Sequence, residues 1–245
     1  MLLISIKNLY KKYHTLEKEI SALENINLNI NTGEIISIVG PSGCGKSTLL
    51  NILTKLDKPS SGSIIEHDEL KIGYMMQDDA LLPWLTVLDN CTLGLKLSNN
   101  LNDESKKYVL DLLKKYKLDE FINEYPNNLS GGMRQRVALI RTLAIKPNIL
   151  LLDEPFSKLD IDSRINISDD VFKIIKELNI TTILITHDIS EAITLSDKVI
   201  VLTKRPGKIK NIYLINFTTT TPSLKRNTKQ FNILYKLVWS DIFNE

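Results

Sequence analysis

The chain has 245 residues, 31 Lys and Arg against 29 Asp and Glu, and a formal net charge of +2. That balance gives no basic stripe for nucleic acid, and no apolar run approaches the ~18–20 residues of a membrane span. The two cysteines, Cys44 and Cys91, supply neither a disulfide framework nor a metal-ligand spacing. The length suits one large α/β domain, or a domain with a helical insertion, with a sizeable core. Residues 1–7 are too short and wrongly charged for a signal peptide. The expectation is therefore a soluble protein of a reducing cytosol that reaches any membrane through partners.

In chain order, residues 2–6 read as a first strand. Tyr10-Lys11-Lys12-Tyr13-His14 and a polar stretch to Ser21 follow. Residues 22–30 alternate apolar and polar, as a half-buried strand antiparallel to the first would. Asn31-Thr32-Gly33-Glu34 is a turn, and Ile35-Ile36-Ser37-Ile38-Val39 reads as a buried strand. Next comes Gly40-Pro41-Ser42-Gly43-Cys44-Gly45-Lys46-Ser47-Thr48, which fits the phosphate-loop pattern G-x-x-x-x-G-K-[ST]. A helix over 46–55 follows. Strand, glycine loop and helix aim backbone N–H groups and a positive helix end at one point, an anion site. The glycines let the backbone approach phosphates with no Cβ in the way. Lys46 reaches the β- and γ-phosphates, and the Ser47 hydroxyl holds Mg²⁺. Cys44 either fills a variable loop position as a small residue or, near a helix N-terminus, carries an acidified thiol.

Residues 57–62 form a loop, and 63–65 and 72–76 are two short strand-like pieces. From Ala80 the texture becomes helical. Over 103–116, Val109, Leu112, Leu113 and Tyr116 share one face with lysines opposite. Met133, Val137, Ile140 and Ala144 share another, with Arg134, Gln135, Arg136 and Arg141 away from it. Residues 80–145 thus read as a helical insertion. The sheet resumes at 149–153, an apolar run of the kind covered on both faces. A helix over 163–178, a strand over 181–186, a helix over 189–195 and a strand over 198–202 imply βαβ units. Residues 218–222 are a linker. Phe231, Leu234, Tyr235 and Val238 at helical spacing predict a terminal helix packed on the core. There are no internal repeats.

Two further stretches carry chemistry. The apolar run 149–153 ends in Asp153-Glu154, at the strand edge where ligands bind in such folds. Phosphoryl transfer needs a carboxylate near Mg²⁺ and a group that orients the attacking water; Asp153 suits the first role and Glu154 the second. Taken alone, the pair is equally a strand end capped by solvated acids. In Leu129-Ser130-Gly131-Gly132-Met133-Arg134-Gln135, Ser130 reads as the N-cap of a helix opened by two glycines. It is either a plain capped helix or a second anion site of hydroxyl, N–H groups and positive helix end.

The Leu-Ser-Gly-Gly stretch just upstream of an Asp-Glu strand resembles the signature of ABC transporter ATPase subunits, and the other family elements fall in order. By resemblance, Tyr13 stacks on adenine. Gln77 is the Q-loop glutamine at the Mg²⁺ and water site. Ser157-Lys158-Leu159-Asp160 is the D-loop, with Asp160 facing a partner subunit. His187 is the switch histidine at the γ-phosphate. Asp79 to Trp84, Val87-Leu88-Asp89-Asn90, Gly131 to Arg136, Asp153-Glu154-Pro155-Phe156, Thr186 to Ala192 and Arg205-Pro206-Gly207-Lys208-Ile209 resemble the nitrate/sulfonate/taurine-type importer ATPases. The likeness covers about 4–215. Two features depart from it: a short 63–73 segment, and Ile140 and Thr142 where small alanines are usual.

The resemblance implies an α/β fold of the P-loop NTPase type, with a mostly parallel core sheet (about 1–79 and 146–215), a small antiparallel β subdomain, the helical insertion and a tail over 216–245. It implies an ATPase with ATP and Mg²⁺. Catalytic roles fall to Glu154, His187, Lys46 and Gln77. Nucleotide contacts fall to Tyr13, Gly40, Pro41, Ser42, Gly43, Cys44, Gly45, Lys46, Ser47, Thr48 and Gln77, and metal contacts to Ser47, Gln77 and Asp153. Ser130, Gly131, Gly132 and Asp160 serve the ATP held by a second copy of the chain. The other partners implied are membrane permease subunits and, indirectly, an external substrate-binding protein, with the chain peripheral on the cytoplasmic face of the membrane. The turn at Leu81-Leu82-Pro83-Trp84 then lies near the groove that receives the permease. Two alternatives are a soluble ABC-type ATPase of translation or DNA maintenance, and a nucleotide-binding regulator that does not hydrolyse. The near-neutral charge and absent second ATPase unit argue against the first; the intact Glu154 and His187 argue against the second.

Overall fold

A computed structural model of the chain describes residues 1–14, 18–157, 159, 161–219 and 221–243, with the backbone alone at 161–163. In order, the elements are β1 (Leu2–His14), β2 (Glu19–Asn31), β3 (Ile35–Val39), α1 (Lys46–Leu53), β4 (Ser61–Glu66), β5 (Ile72–Met75), α2 (Val87–Leu97), α3 (Asp103–Lys115), α4 (Gly131–Ala144), β6 (Ile149–Asp153), α5 (Ile161–Glu177), β7 (Thr181–Ile185), α6 (Ile189–Leu195), β8 (Lys198–Leu202), β9 (Ile209–Leu214), α7 (Pro222–Lys225) and α8 (Lys229–Phe243). They fall into two compact units, Met1–Leu70 with Ser168–Glu245, and Lys71–Ile167.

The first unit holds a small antiparallel sheet in the order β2-β1-β4 and a core in which β3 lies parallel between β7 and β8, with β9 antiparallel on β8. Every residue of β3 is buried, as its unbroken apolar run predicts for a central strand. The register Ile36↔Ile183 and Ile36↔Lys198 sets β3 in the middle, so the loop that leaves its C-terminal end is anchored on both sides. The tail forms α8, whose fully buried Val238 packs with Val39, Ala192, Ile193 and Val201, flanked by Phe231 and Leu234. The predicted terminal helix is therefore present and docked.

The first strand runs to His14 rather than ending near residue 6. Register shifts against β2 between Ile6 and Leu9, and again to Lys11, insert bulges. Asn8 has φ 45°, so the inward-facing positions slip from Ile6 to Leu9 and the period-two signal breaks. β9 was not expected: it is an edge strand with mostly exposed side chains.

The second unit pairs β5 with β6 in parallel and packs α2, α3 and β5 around α4. Because α4 is covered on several sides, it buries Gln135, Ala138, Leu139 and Leu143 as well as Val137, Ile140 and Ala144. The heptad-like spacing predicts Gln135 on the outer face; the structure corrects this, since one stripe cannot describe a helix covered on several sides. Thr142 also finds its reason here. A Cβ at Gly73 would stand 2.8 Å from Thr142 Cγ2 and 3.1 Å from Pro147, so the larger residue on α4 is accommodated by a missing side chain on β5. Helix α3 is closed by a capping box between Asn102 and Ser105.

Candidate functional site

The phosphate loop leaves β3 and enters α1. Gly45, its N-cap, has φ 108°, a conformation L side chains rarely adopt, and a Cβ there would stand 2.8 Å from the Ala22 carbonyl oxygen. Among the described residues no side chain caps α1, so its first-turn N–H groups remain for a ligand. The Lys46 ammonium is buried and donates to the carbonyl oxygens of Gly40 (2.8 Å) and Pro41 (3.1 Å), which holds the charge at the loop. Ser47 is exposed beside it. A cradle of glycine backbone, uncapped helix N-terminus and positioned cation fits the phosphates of ATP.

Cys44 is fully buried, 3.8 Å from Lys46 Nζ, and fills the space beneath Gly40. It packs. Cys91 packs too, and burial pushes its thiol up to about 12. Two long-range contacts, one to the loop and one to β2, carry no local sequence signal. Arg205 Nε donates to the Gly43 carbonyl at 3.0 Å, and Gly207 exchanges backbone hydrogen bonds with Ala22 and Glu24, both 2.9 Å. Arg205-Pro206-Gly207 was marked only by family likeness; the sequence holds no local signal that an arginine 162 positions away would meet Gly43.

In the first unit, Tyr13 lies on β1 opposite Ile20, with Lys11 Nζ 4.7 Å from its ring and its hydroxyl donating to Asp57 at 2.9 Å. His187 follows β7, exposed, one residue before Asp188, which caps α6 by accepting from the N–H groups of Ser190 and Glu191.

In the second unit, Gln77 and Glu154 meet: Gln77 Nε2 donates to Glu154 Oε2 at 3.1 Å. Glu154 has φ 46°, a left-handed conformation unusual for a non-glycine residue. Its carbonyl is tied to Ser157 by N–H (3.2 Å) and hydroxyl (2.9 Å). Beside it, the Tyr74 hydroxyl donates to the Asp153 carboxylate; burial and that acid together push Tyr74 above the usual phenol range. Ser130 is the N-cap of α4, accepting from Met133 N–H at 3.3 Å. A Cβ at Gly132 would come 2.9 Å from Ile167 Cδ1, the movable end of that side chain. At Gly131 a Cβ would meet nothing closer than 3.9 Å. Arg134 pairs with the Asp79 carboxylate, and Arg141 donates to the carbonyls of Ala80 (2.7 Å) and Asp79 (2.6 Å), so the segment after Gln77 is fixed to the helix that follows Ser130. Asp160 lies outside the described residues.

These features define a phosphate-loop nucleotide-binding protein. The family model described as ABC transporter matches residues 23–157, and the chain belongs to that family. It is 39% identical over 99% of its length, and 96% of the relative's, to the uncharacterized ABC transporter ATP-binding protein YtlC of Bacillus subtilis. It is 40% identical to the aliphatic sulfonates import ATP-binding protein SsuB of Bacillus cereus, over 85% of this chain and 84% of that one. Among solved structures, the dimeric structure of MJ0796, described as a bacterial ABC transporter cassette, superposes with a TM-score of 0.76 at 37% identity, covering 88% of this chain and 100% of that one. The same cassette is known in a dimeric post-hydrolysis state bound to ADP and Pi (TM-score 0.75, 36% identity, 88% and 100% covered). The chain is thus an ATP-hydrolysing ABC subunit that uses ATP and Mg²⁺. Among the described residues no helix is long and apolar enough to cross a membrane.

Proposed function

We propose that this subunit powers a membrane importer for a small solute, such as nitrate, a sulfonate, taurine or a related anion or precursor, and that it works as two identical copies with nucleotide sandwiched between them. The observation that carries the reading is Gly131. Neither its φ nor the packing of its own chain asks for glycine, yet it follows the exposed N-cap Ser130 at the positive end of α4. Phosphate arriving from outside the chain needs that open approach. The dimeric cassette of MJ0796 supports the pairing, and the import function in the name of SsuB supports the direction of transport.

In this reading, Lys46 and the N–H groups of 40–48 hold the triphosphate, and Ser130, Gly131 and Gly132 of the other copy close over it. Tyr13 stacks on the adenine, and Asp160 faces the other copy. Ser47, Gln77 and Asp153 are the residues assigned to Mg²⁺, with Asp153 oriented by Tyr74. When bound, the metal neutralises phosphate charge in the transition state. Glu154 orients the attacking water and takes its proton as oxygen adds to the γ-phosphorus and the bond to the bridging oxygen breaks. Gln77 fixes the Glu154 carboxylate, and His187 contacts the γ-phosphate. Trp84, 69% exposed on a turn knotted by the buried Asn90 amide, is the contact offered to the permease. The permease and an external binding protein choose the cargo, and the subunit is peripheral on the cytoplasmic face of the membrane.

Mixing Lys46→Ala with Ser130→Arg tests the composite site. Each variant alone is inactive, and the mixed pair regains one intact site per heterodimer, about one quarter of wild-type turnover if copies pair at random. A mixture no more active than its parents contradicts the reading.

A further inference from the structure

A cavity of about 680 Å³ opens in the first unit between α5, α7 and the segment after β9. Its volume is that of small-molecule pockets, and the transport chemistry above uses none of its walls. Phe172, Ile215, Phe217 and Pro222 make the apolar part. The charged part is Lys173, Lys176 and Lys225 against Glu177 and Asp197, three cations to two anions.

These lysines are not equivalent. Lys176 is spent: its Nζ donates to both oxygens of Asp197, each at 2.9 Å. Lys225 is 6% exposed, and its ammonium donates to the Thr194 carbonyl at 2.7 Å. The same nitrogen lies 4.9 Å from the Phe172 ring centre and 5.5 Å from that of Phe217. Among the described residues no carboxylate lies within ion-pairing distance of it. An ammonium has three donors, and a neutral carbonyl, two ring faces and the more distant Asp197 carboxylate, already shared with Lys176, leave the buried positive charge only partly compensated. Burial accordingly pushes Lys225 down to about 8. Such a group, displayed in a roomy cavity, is matched by one negative charge on an apolar body.

We propose that this cavity binds a small organic monoanion, an aryl or alkyl carboxylate or sulfonate, with its acid group on Lys225 and its apolar body between Phe172 and Phe217. Binding here is separate from nucleotide binding and does not depend on the importer reading.

Calorimetric titration of the full chain with 1-naphthalenesulfonate at neutral pH is the test, beside its uncharged match 2-naphthalenemethanol. The expected result is one site per chain, with the alcohol at least tenfold weaker. Lys225→Met weakens the sulfonate at least tenfold, and Thr219→Trp, which fills the cavity from its wall, abolishes binding; both variants keep wild-type ATP turnover. Absence of saturable binding by the wild type at millimolar probe overturns the proposal, and so does binding that both variants leave unchanged, since the probe then sits elsewhere.

Discussion

Gln77 Nε2 and Glu154 Oε2 are 3.1 Å apart, a hydrogen bond between the residue two positions after β5 and the residue that directly follows β6. Glu154 is also held at φ 46°, where a non-glycine residue stores on the order of 1–3 kcal/mol of strain. A carboxylate oriented by an amide and fixed in a costly backbone state is arranged for a task, and proton abstraction is the one proposed. Glu154→Gln keeps the shape and removes the base. Turnover falls by roughly 10²–10⁴-fold while ATP affinity, followed by equilibrium titration, stays within a few-fold of wild type. Near-normal steady-state hydrolysis would remove Glu154 from the role.

Arg205 braces the phosphate loop from a distant turn through the Gly43 carbonyl. Arg205→Met leaves Lys46 and Ser47 in place but loosens the loop. A charged hydrogen bond contributes about 1.5–3 kcal/mol, so ATP affinity weakens by on the order of tenfold. Titration with a fluorescent ATP analogue reads this directly; unchanged affinity would make the contact incidental.

Gly73 and Thr142 are complementary in volume. Gly73→Ala forces its new methyl against Thr142 and Pro147 and costs about 1–3 kcal/mol. Thr142→Ala in the same chain returns part of that loss, because one of the two close neighbours is gone. Urea unfolding of both single variants and the double variant checks it, and strict additivity would contradict the contact.

Lys225 gives a pH signature. Its folded pKa of about 8 lies below the ordinary 10.5, so the unfolded chain binds the proton more tightly. The group therefore destabilises the fold below about pH 8, and its contribution to stability rises between about 8 and 10.5. Lys225→Met is more stable relative to the wild type at pH 7 than at pH 10.5, so any advantage it has shrinks as the pH is raised through that window. A difference that stays constant with pH would show that the lysine is not desolvated as described.

Much of this was legible in the sequence because the motifs are local. Strand, loop and helix over 35–55 are consecutive, and the Ser130 cap and Asp153-Glu154 edge are each set by neighbouring residues. What escaped reading depends on long-range contacts or broken periods. Bulges at Asn8 and Leu9 hid the second half of β1. Gln135 looked exposed because its helix is covered on more than one side. The edge strand β9 carries little apolar signal, and Arg205 meets Gly43 only after the chain folds.

The central claim is that ATP joins two copies of this chain. Sedimentation velocity of Glu154→Gln with ATP and Mg²⁺ measures it most directly. The account predicts a dimer that forms only with ATP, is lost with ADP, and is absent when Ser130→Arg is added. A species that remains monomeric with saturating ATP, or a dimer indifferent to the nucleotide, would contradict it.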